Sequence, residues 1–463
     1  MKPTTTLCLT ALLLSAVAGT VVAQQPSDAN GKTSPASPAS DSGAKKEQPQ
    51  KFSLYRPQEI NHIRPADQRG VNMFESPKED LVPFTGFALS FGGAFTQEFQ
   101  GLGHQNSATP VLVSGVNTNQ LITIGHGFNN AVANLNVNAQ LAPGIRLAMT
   151  SYLSARHHQE TWVKDGYILI DDSPIDNALL KDIMKLTTLR VGHFEVNYGD
   201  AHFRRSDNGN SMYNPFAANY ILDDFTTEIG AEVYARSNGV IAMLGATGGE
   251  IHGQVTNPQG RSMSVLGKLG FDKSILDNFI RVRLTGSFYA NNKAASNTLF
   301  TGDRGGSAYY DVLENSTSTE LANAWSGQVR PGFSNKINAE VINPFVKIGG
   351  AEFFGNFETA TGGSFTEPKL RTLHQNVYEG LYRLANDKFY VGGRYNTLKG
   401  QLISKNSLDE QVTRYQVGGG WFVTPNVLAK LEWVNQKYND FPITDIRYGG
   451  QFKGFMVQGS VGF

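Results

Sequence analysis

The sequence predicts an all-β protein, a closed antiparallel transmembrane β-barrel of about 16 strands with short periplasmic turns and long extracellular loops, on three observations. After Phe84, apolar and polar residues alternate with period two. The links between those stretches are by turns short and long. Many apolar-face positions are glycine or alanine. Alternation alone says only that each strand has a dry and a wet face, which a soluble two-sheet sandwich shares. A sandwich fills its dry faces with large interdigitating side chains, whereas Gly230, Ala231, Ala235, Gly267, Gly286, Gly393, Gly419 and Gly459 stand at dry positions here. Lipid chains tolerate such a surface and a packed core does not. Closure follows, because an open sheet edge in hydrocarbon leaves backbone groups unsatisfied at several kcal/mol each.

The elements come in order. Residues 1–23 read as a secretory signal peptide: Lys2 precedes the apolar run from Leu7 to Ala18, and Val21-Val22-Ala23 offers small residues before Gln24. Cys8, the one cysteine, lies within it, so the mature chain has neither disulfide nor thiol. Residues 24–51 are Pro, Ser, Ala, Lys and Asp with almost nothing large and apolar, the composition of a disordered tether. Residues 52–83 are expected to form a periplasmic N-terminal segment, and 84–463 the barrel.

The clearest strand is 131–141, where Ala131, Ala133, Leu135, Val137, Ala139 and Leu141 alternate with Asn134, Asn136, Asn138 and Gln140. Pro143-Gly144 turns the chain into a partner strand starting at Ile145. The same pattern recurs at 87–99, 189–197, 229–236, 240–246, 263–271, 280–290, 344–350, 378–384, 389–396, 415–423, 427–435 and 455–463. Weaker candidates at 162–170 and 322–329 complete sixteen. Short turns (Ser237-Asn238-Gly239, Ala385-Asn386-Asp387, Thr424-Pro425-Asn426) oppose long polar stretches at 101–130, 199–227 and 291–320. The stretch 171–185 breaks the rule, being long where a short turn is expected. Phe87, Tyr289, Phe389, Tyr395, Tyr415, Trp421, Trp433 and Phe463 stand near dry-face ends, as interfacial girdles require.

Composition removes several function classes. Forty Lys and Arg balance forty Asp and Glu, so no global charge draws the chain to nucleic acid. No apolar run reaches the roughly 18 residues of a spanning helix, which excludes a polytopic helical membrane protein. His157-His158-Gln159-Glu160 lacks zinc-helix spacing, and neither a G-x-S-x-G elbow nor a G-x-x-x-x-G-K loop occurs. No enzyme, metal or cofactor is therefore expected, although a barrel lipase with a distant Ser-His pair stays formally open.

Following the wet faces puts Arg146, Arg156, Arg190, Arg236, Lys268, Arg281, Arg283, Lys347, Arg383, Arg394, Arg414 and Lys430 inside, against Glu98, Glu228, Glu232, Glu379 and Glu432. Twelve cations against five acids make a positive wall, which a narrow low-dielectric lumen would focus on a permeating anion. The plainer reading is that these arginines solubilise the wall and pair with nearby glutamates. The stretch 199–227 is the third of the long connections, the one expected to fold inward as a constriction. It carries His202, Arg204, Arg205, Asp207, Asp223 and Asp224.

Three segments carry a resemblance. The run Gly454-Phe455-Met456-Val457-Gln458-Gly459-Ser460-Val461-Gly462-Phe463 resembles the last strand of outer-membrane porins. Leu189-Arg190-Val191-Gly192-His193-Phe194-Glu195-Val196-Asn197-Tyr198-Gly199 and the hairpin from Gly418 to Val434 are similar to the mid-barrel signature and penultimate hairpin of the phosphate-selective porin O/P family. The resemblance implies a sixteen-stranded homotrimeric channel in the outer membrane of a Gram-negative bacterium, surrounded by outer-membrane lipid. It also implies that Phe463 is an assembly signal read by the barrel-assembly machinery, and that cations line the pore. The expected function is a water-filled channel for passive diffusion of small anionic solutes such as phosphate. A non-conducting structural or adhesin-type barrel is the alternative.

Overall fold

The computed structural model describes residues 60–463 apart from 77, 79–83, 130, 155–160, 250–259, 295, 303–307, 320–322, 324–325 and 405–407. The signal-peptide and tether expectations and Arg156 lie outside the described residues. Sixteen strands among the described residues run antiparallel around the barrel: β1 (Ala88–Gln105), β2 (Val132–Ala142), β3 (Ile145–Ser154), β4 (Trp162–Ile170), β5 (Thr187–Glu195), β6 (Thr227–Ser237), β7 (Val240–Thr247) and β8 (Ser264–Ile275), then β9 (Ile280–Asn291), β10 (Lys336–Ile348), β11 (Ala351–Gly363), β12 (Arg371–Leu384), β13 (Phe389–Gly400), β14 (Glu410–Thr424), β15 (Val427–Asn439) and β16 (Gln451–Gly462). β1 closes the ring by pairing with β2 on one side and with β16 on the other, so neither edge is left open. Tight turns join the strands at one end. Gly144 at φ +65 supplies the left-handed position between β2 and β3.

The outer face has two parts. On β14 the outward residues Tyr415, Val417, Trp421 and Val423 are apolar and exposed. From Tyr415 to Val423 the rise is roughly 27 Å along the strand, or about 20 Å of height at barrel tilt, near the apolar band of an outer-membrane barrel. Stacked rings mark its two limits: Tyr378, Tyr395 and Tyr415 on adjacent strands (centroids 6.4 and 4.8 Å apart), and Phe389 on Trp421 at 6.0 Å. Beyond the first limit the outward residues turn polar, with Asn338, Glu340, His374, Lys399, Lys437 and Lys453 exposed. Phe288 lies over Gly267 on the outer face, where an added Cβ would meet its ring at 2.5 Å, so this dry-face glycine makes room for a neighbouring aromatic.

Several differences from the sequence reading have clear causes. The expected strand at 322–329 is not one: residues 326–329 run as loop, and the Val329 amide donates to the Ile221 carbonyl at 2.8 Å. The strand the pattern missed is β11, where Phe354 points inward and is fully buried while Phe353 points outward, so both faces look dry and alternation disappears. The strand count is right through two compensating errors. Tyr289, expected on the girdle, faces inward and is fully buried; its hydroxyl donates to Glu228 at 2.5 Å. The long stretch at 171–185 carries a short helix, α1 (Ala178–Met184), capped by Asn177.

The largest difference is inside. In the half of the barrel above the apolar band the inward positions are apolar and buried: Leu266, Ile337, Leu373, Leu398, Val412, Val434 and Met456. Opposite them pack Ile221, Leu222, Leu299, Phe300, Tyr309, Val312 and Val329 from the long connections. The upper lumen is a hydrophobic core.

Candidate pore constriction

The connection between β5 and β6, residues 196–226, crosses the interior and is anchored on wall after wall. Asn343 of β10 accepts the Asp200 amide at 2.9 Å. Gly209 lies so close to β2 that an added Cβ would meet the Ala133 Cα at 2.5 Å, and its carbonyl accepts from Thr96 at 2.8 Å. The Lys430 ammonium donates to the carbonyls of Ser211 and Asn214 at 2.6 and 2.7 Å. Asn396 and Gln375 accept the amides of Ile221 and Leu222 at 2.7 and 2.9 Å. These contacts satisfy backbone groups that a buried loop could not otherwise satisfy. The described part of 292–335 joins it, since the Phe225 amide donates to the Leu299 carbonyl at 2.8 Å.

Charged side chains of this loop pair with the wall. Asp200 takes two hydrogen bonds from Arg283, at 2.7 and 2.8 Å, one from Thr285 at 2.7 Å and one from Lys268 at 2.9 Å. Arg204 reaches Glu352 and Glu379, each at 2.6 Å. Arg205 forks onto Asp223 at 3.1 and 2.7 Å and also faces Asp207 at 3.5 Å. His202 stacks on Phe203 with ring centroids 3.8 Å apart, and its Nε2 lies 2.9 Å from Asn197 Oδ1. Asp224 is buried, and neither carboxylate oxygen has a hydrogen-bond partner among the described residues. Burial first, then Glu358 and Asp223, push its carboxyl well above the usual carboxylate range.

A further segment enters from the turn end. Residues 60–76 sit over the barrel's mouth: Gln68 donates to the carbonyls of Pro425 and Asp387 in two of the tight turns, at 2.9 Å each. His62 contacts Asp171 at 2.8 Å, and Arg146 contacts the same carboxylate oxygen at 2.7 Å. Burial opposes ionisation of Asp171, yet the His62 hydrogen bond and the Arg146 charge outweigh it and hold the carboxyl below its ordinary value. Asn72 donates to Glu352 at 2.6 Å, and the Phe74 ring packs edge-on against Phe203 and Phe345, at 5.6 and 5.4 Å. Glu75 accepts from Arg283 at 2.6 Å, Lys268 at 3.1 Å and Asn197 at 3.1 Å.

The remaining cations of the wall are paired as well. Arg190 pairs with Glu232 (Nε to Oε2, 3.0 Å), with its guanidinium 4.3 Å from the Phe194 ring centroid. Arg394 donates to Glu379 at 2.8 Å, and Arg383 to Glu352 at 2.9 Å. Arg414 is fully buried, bonded to Gln436 and to the carbonyls of Asn219 and Gly327 at 2.5, 2.5 and 2.6 Å. Arg281 holds Asp272 at 2.8 Å, Lys347 faces Asp387 at 3.2 Å, and Arg236 donates to Thr188 at 3.1 Å. The expected positive excess is taken up by acids that strand reading did not count: Glu75, Asp171, Asp200, Asp272 and Glu352. Glu352 was hidden with the missed β11, and nothing in 60–76 marked Asn72, Phe74 or Glu75 as lumen residues. Phe463 is exposed at the end of β16, exchanging backbone hydrogen bonds with Gly93 at 2.9 and 3.0 Å.

An anion-selective porin from Comamonas acidovorans superposes with a TM-score of 0.50 at 8% identity, over 81% of this chain and 100% of that one. The fold is that of an outer-membrane porin barrel. OmpT, an outer membrane protein of Vibrio cholerae, in a trimer form, gives 0.47 at 11% identity over 82% and 100% of the two chains. The outer membrane channel DcaP of Acinetobacter baumannii gives 0.47 at 7% over 82% and 98%. No protein-family profile matches the chain, and no curated protein matches it by sequence.

At the turn end of this porin-type barrel, the end that faces the periplasm in such folds, a cavity of about 340 Å³ lies between the N-terminal segment and the wall. Glu75, Lys78, Arg236, Asp272, Ser274 and Arg281 line it. Arg281 is a quarter exposed here, unlike Arg283 one turn of the pleat deeper.

Proposed function

We propose that the protein is an outer-membrane porin for passive diffusion of small solutes, with a preference for anions such as phosphate, and that it works as a homotrimer after removal of a signal peptide. The observation that carries the reading is the loop 196–226, folded across the interior of a porin-type barrel and bearing Arg204, Arg205 and four aspartates. Such a loop narrows a lumen that sixteen strands alone leave wide. The vestibule's wall carries three cations, Lys78, Arg236 and Arg281, against two acids, Glu75 and Asp272, a net positive charge that favours entering anions. Kinship with phosphate-selective porins rests on the segments 189–199 and 418–434. No catalysis belongs to the proposal.

Planar-bilayer conductance with reversal potentials in asymmetric KCl, followed by addition of phosphate, tests it. Anion-selective steps reduced by phosphate support the reading in full, and anion-selective steps indifferent to phosphate remove the phosphate preference. A second reading, a barrel closed at rest with a structural or adhesive role, is favoured by the apolar packing of the upper lumen. It requires folded protein without conductance. Hydrolysis of detergent-solubilised phospholipid would identify a lipase instead.

A further inference from the structure

We propose that Lys268, Arg283 and Asn197 form a binding site for a small carboxylate, and that the chain's own Glu75 is its tethered occupant. The inference rests on the channel reading only for its consequence in transport. Glu75 belongs to no strand. It is delivered by the segment 60–76, which is seated by contacts of its own: Phe74 between Phe203 and Phe345, and Gln68 on two periplasmic turns. The head group is then held as a ligand is held, one oxygen on Arg283 at 2.6 Å, the other on Lys268 and Asn197, both at 3.1 Å.

The charge around it fits one carboxylate. Lys268 and Arg283 share Asp200, and Arg281 is matched by Asp272. Arg283 also touches Asp272 at 3.3 Å, so without Glu75 the three cations Lys268, Arg281 and Arg283 face two acids, Asp200 and Asp272, and one positive charge is left uncompensated, a costly state that an incoming monoanion relieves. Geometry selects a planar head group. The Arg283 fork is already spent on Asp200 through Nε and Nη2, and Nη1 faces Asp272 at 3.3 Å, so Nη2 alone is shared with the newcomer, whose second oxygen must reach Lys268. Glu75 also lines the 340 Å³ vestibule, so a solute reaches the site from the periplasmic mouth. When the segment is seated it competes with solute for the cations; when it leaves, the site opens.

The test is equilibrium binding of radiolabelled propionate to the full-length, detergent-solubilised protein, with the heat-modifiable gel shift as proof that each variant is folded. Glu75→Ala empties the head-group position while Phe74 still holds the segment, and is expected to bind propionate about tenfold or more tighter than wild type. Adding Lys268→Met to that variant should abolish the gain. Gly70→Val acts on the seat alone: an added Cβ at Gly70 meets the Pro65 carbonyl at 2.2 Å and the Tyr213 ring at 2.7 Å. Expelling the segment in this way should produce the same gain with Glu75 intact. Folded Glu75→Ala with wild-type affinity overturns the site, and folded Gly70→Val with wild-type affinity overturns the tether. Should Glu75→Ala not fold, Gly70→Val decides both. Propionate binding without conductance in any variant leaves the site standing and removes the channel; conductance without propionate binding does the reverse.

Discussion

Arg204 ties the inward loop to two strands of the wall through Glu352 and Glu379, and its removal has a calculable effect. The guanidinium is buried between Glu352 and Glu379, 2.6 Å from each. Replacement by methionine keeps the bulk and leaves two buried carboxylates short of a partner. Breaking a buried pair from one side costs about 3–5 kcal/mol. Arg383 and Arg394 still hold the outer oxygens of the same two acids, at 2.9 and 2.8 Å, which puts the cost near the low end. About 3 kcal/mol is roughly a hundredfold change in the ratio of docked to undocked loop. Hydrogen exchange on the detergent-solubilised protein reads this ratio directly: the amides of Arg204 and Phe225, bonded to Ala201 and Leu299, should exchange about a hundredfold faster in Arg204→Met. The ladder of β13 with β14 should be unchanged. Adding Glu379→Gln removes one of the stranded charges and should recover part of the protection. Unchanged exchange in Arg204→Met would refute the claim that this ion pair docks the loop, and a uniform rise over all strands would show that it holds the barrel instead.

Three other outcomes follow from particular contacts. The carboxyl of Asp171 is held below its ordinary value in the folded state, so its contribution is complete above the unfolded carboxylate value near 4 and is lost as pH falls through the lower folded value; a fluorophore on Ala66→Cys should report release of the 60–76 segment only below about pH 4, and Asp171→Asn should flatten that titration. Phe463→Ala keeps the backbone exchange with Gly93 but removes the exposed ring, and should lower the amount of heat-modifiable barrel in membranes while secreted precursor accumulates; equal amounts would reduce Phe463 to a girdle aromatic. Arg281→Glu at the vestibule, where it also repels Asp272, should shift the reversal potential toward cations in an assembled barrel, whereas Arg283→Glu adds a third acid to Glu75 and Asp200 and should fail the heat-modifiability test.

What the sequence revealed and what it hid divide along a physical line. Strands inside the apolar band were legible because lipid and lumen impose opposite polarity on successive residues: Ile280 to Phe288 reads cleanly, and Leu284, Gly286 and Phe288 face outward with Arg283 and Thr285 inward. Strand ends were not legible. β10 starts at Lys336 and β12 at Arg371, seven or more residues before the alternation of 344–350 and 378–384 reads as a strand, because above the band the pattern inverts. The third long connection was identifiable by length and position, and its charges by composition. Their partners were not, since Arg204 meets Glu379 across 175 residues and Arg283 meets Glu75 across 208. Period-two reasoning assigns a face to a residue; it carries no information about which segment fills the space that face looks into.

The inversion also explains why the interior is filled. A strand whose inward residues are polar can border water, and through the apolar band they are polar: Glu379, Arg394, Gln416 and Glu432. Above it Leu373, Leu398, Val412 and Val434 point inward while His374, Lys399, Thr413 and Asn435 point out. Burying a Val or Leu side chain is worth about 1.5–3 kcal/mol, so a ring of them facing an aqueous lumen is a strong demand for cover. The long connections meet it with Ile221, Leu222, Leu299 and Val312, all at most 1% exposed. The upper barrel is thus built as a soluble protein is, apolar inside and polar outside, on the same strands that below are apolar outside and polar inside. A route for solute through it must run beside the packed connections or wait for them to move. The half toward the tight turns, where ion pairs join the smaller apolar clusters around Phe74 and Phe216 in holding the 60–76 segment and the 196–226 loop, is where such a movement uncovers less apolar surface than in the upper core.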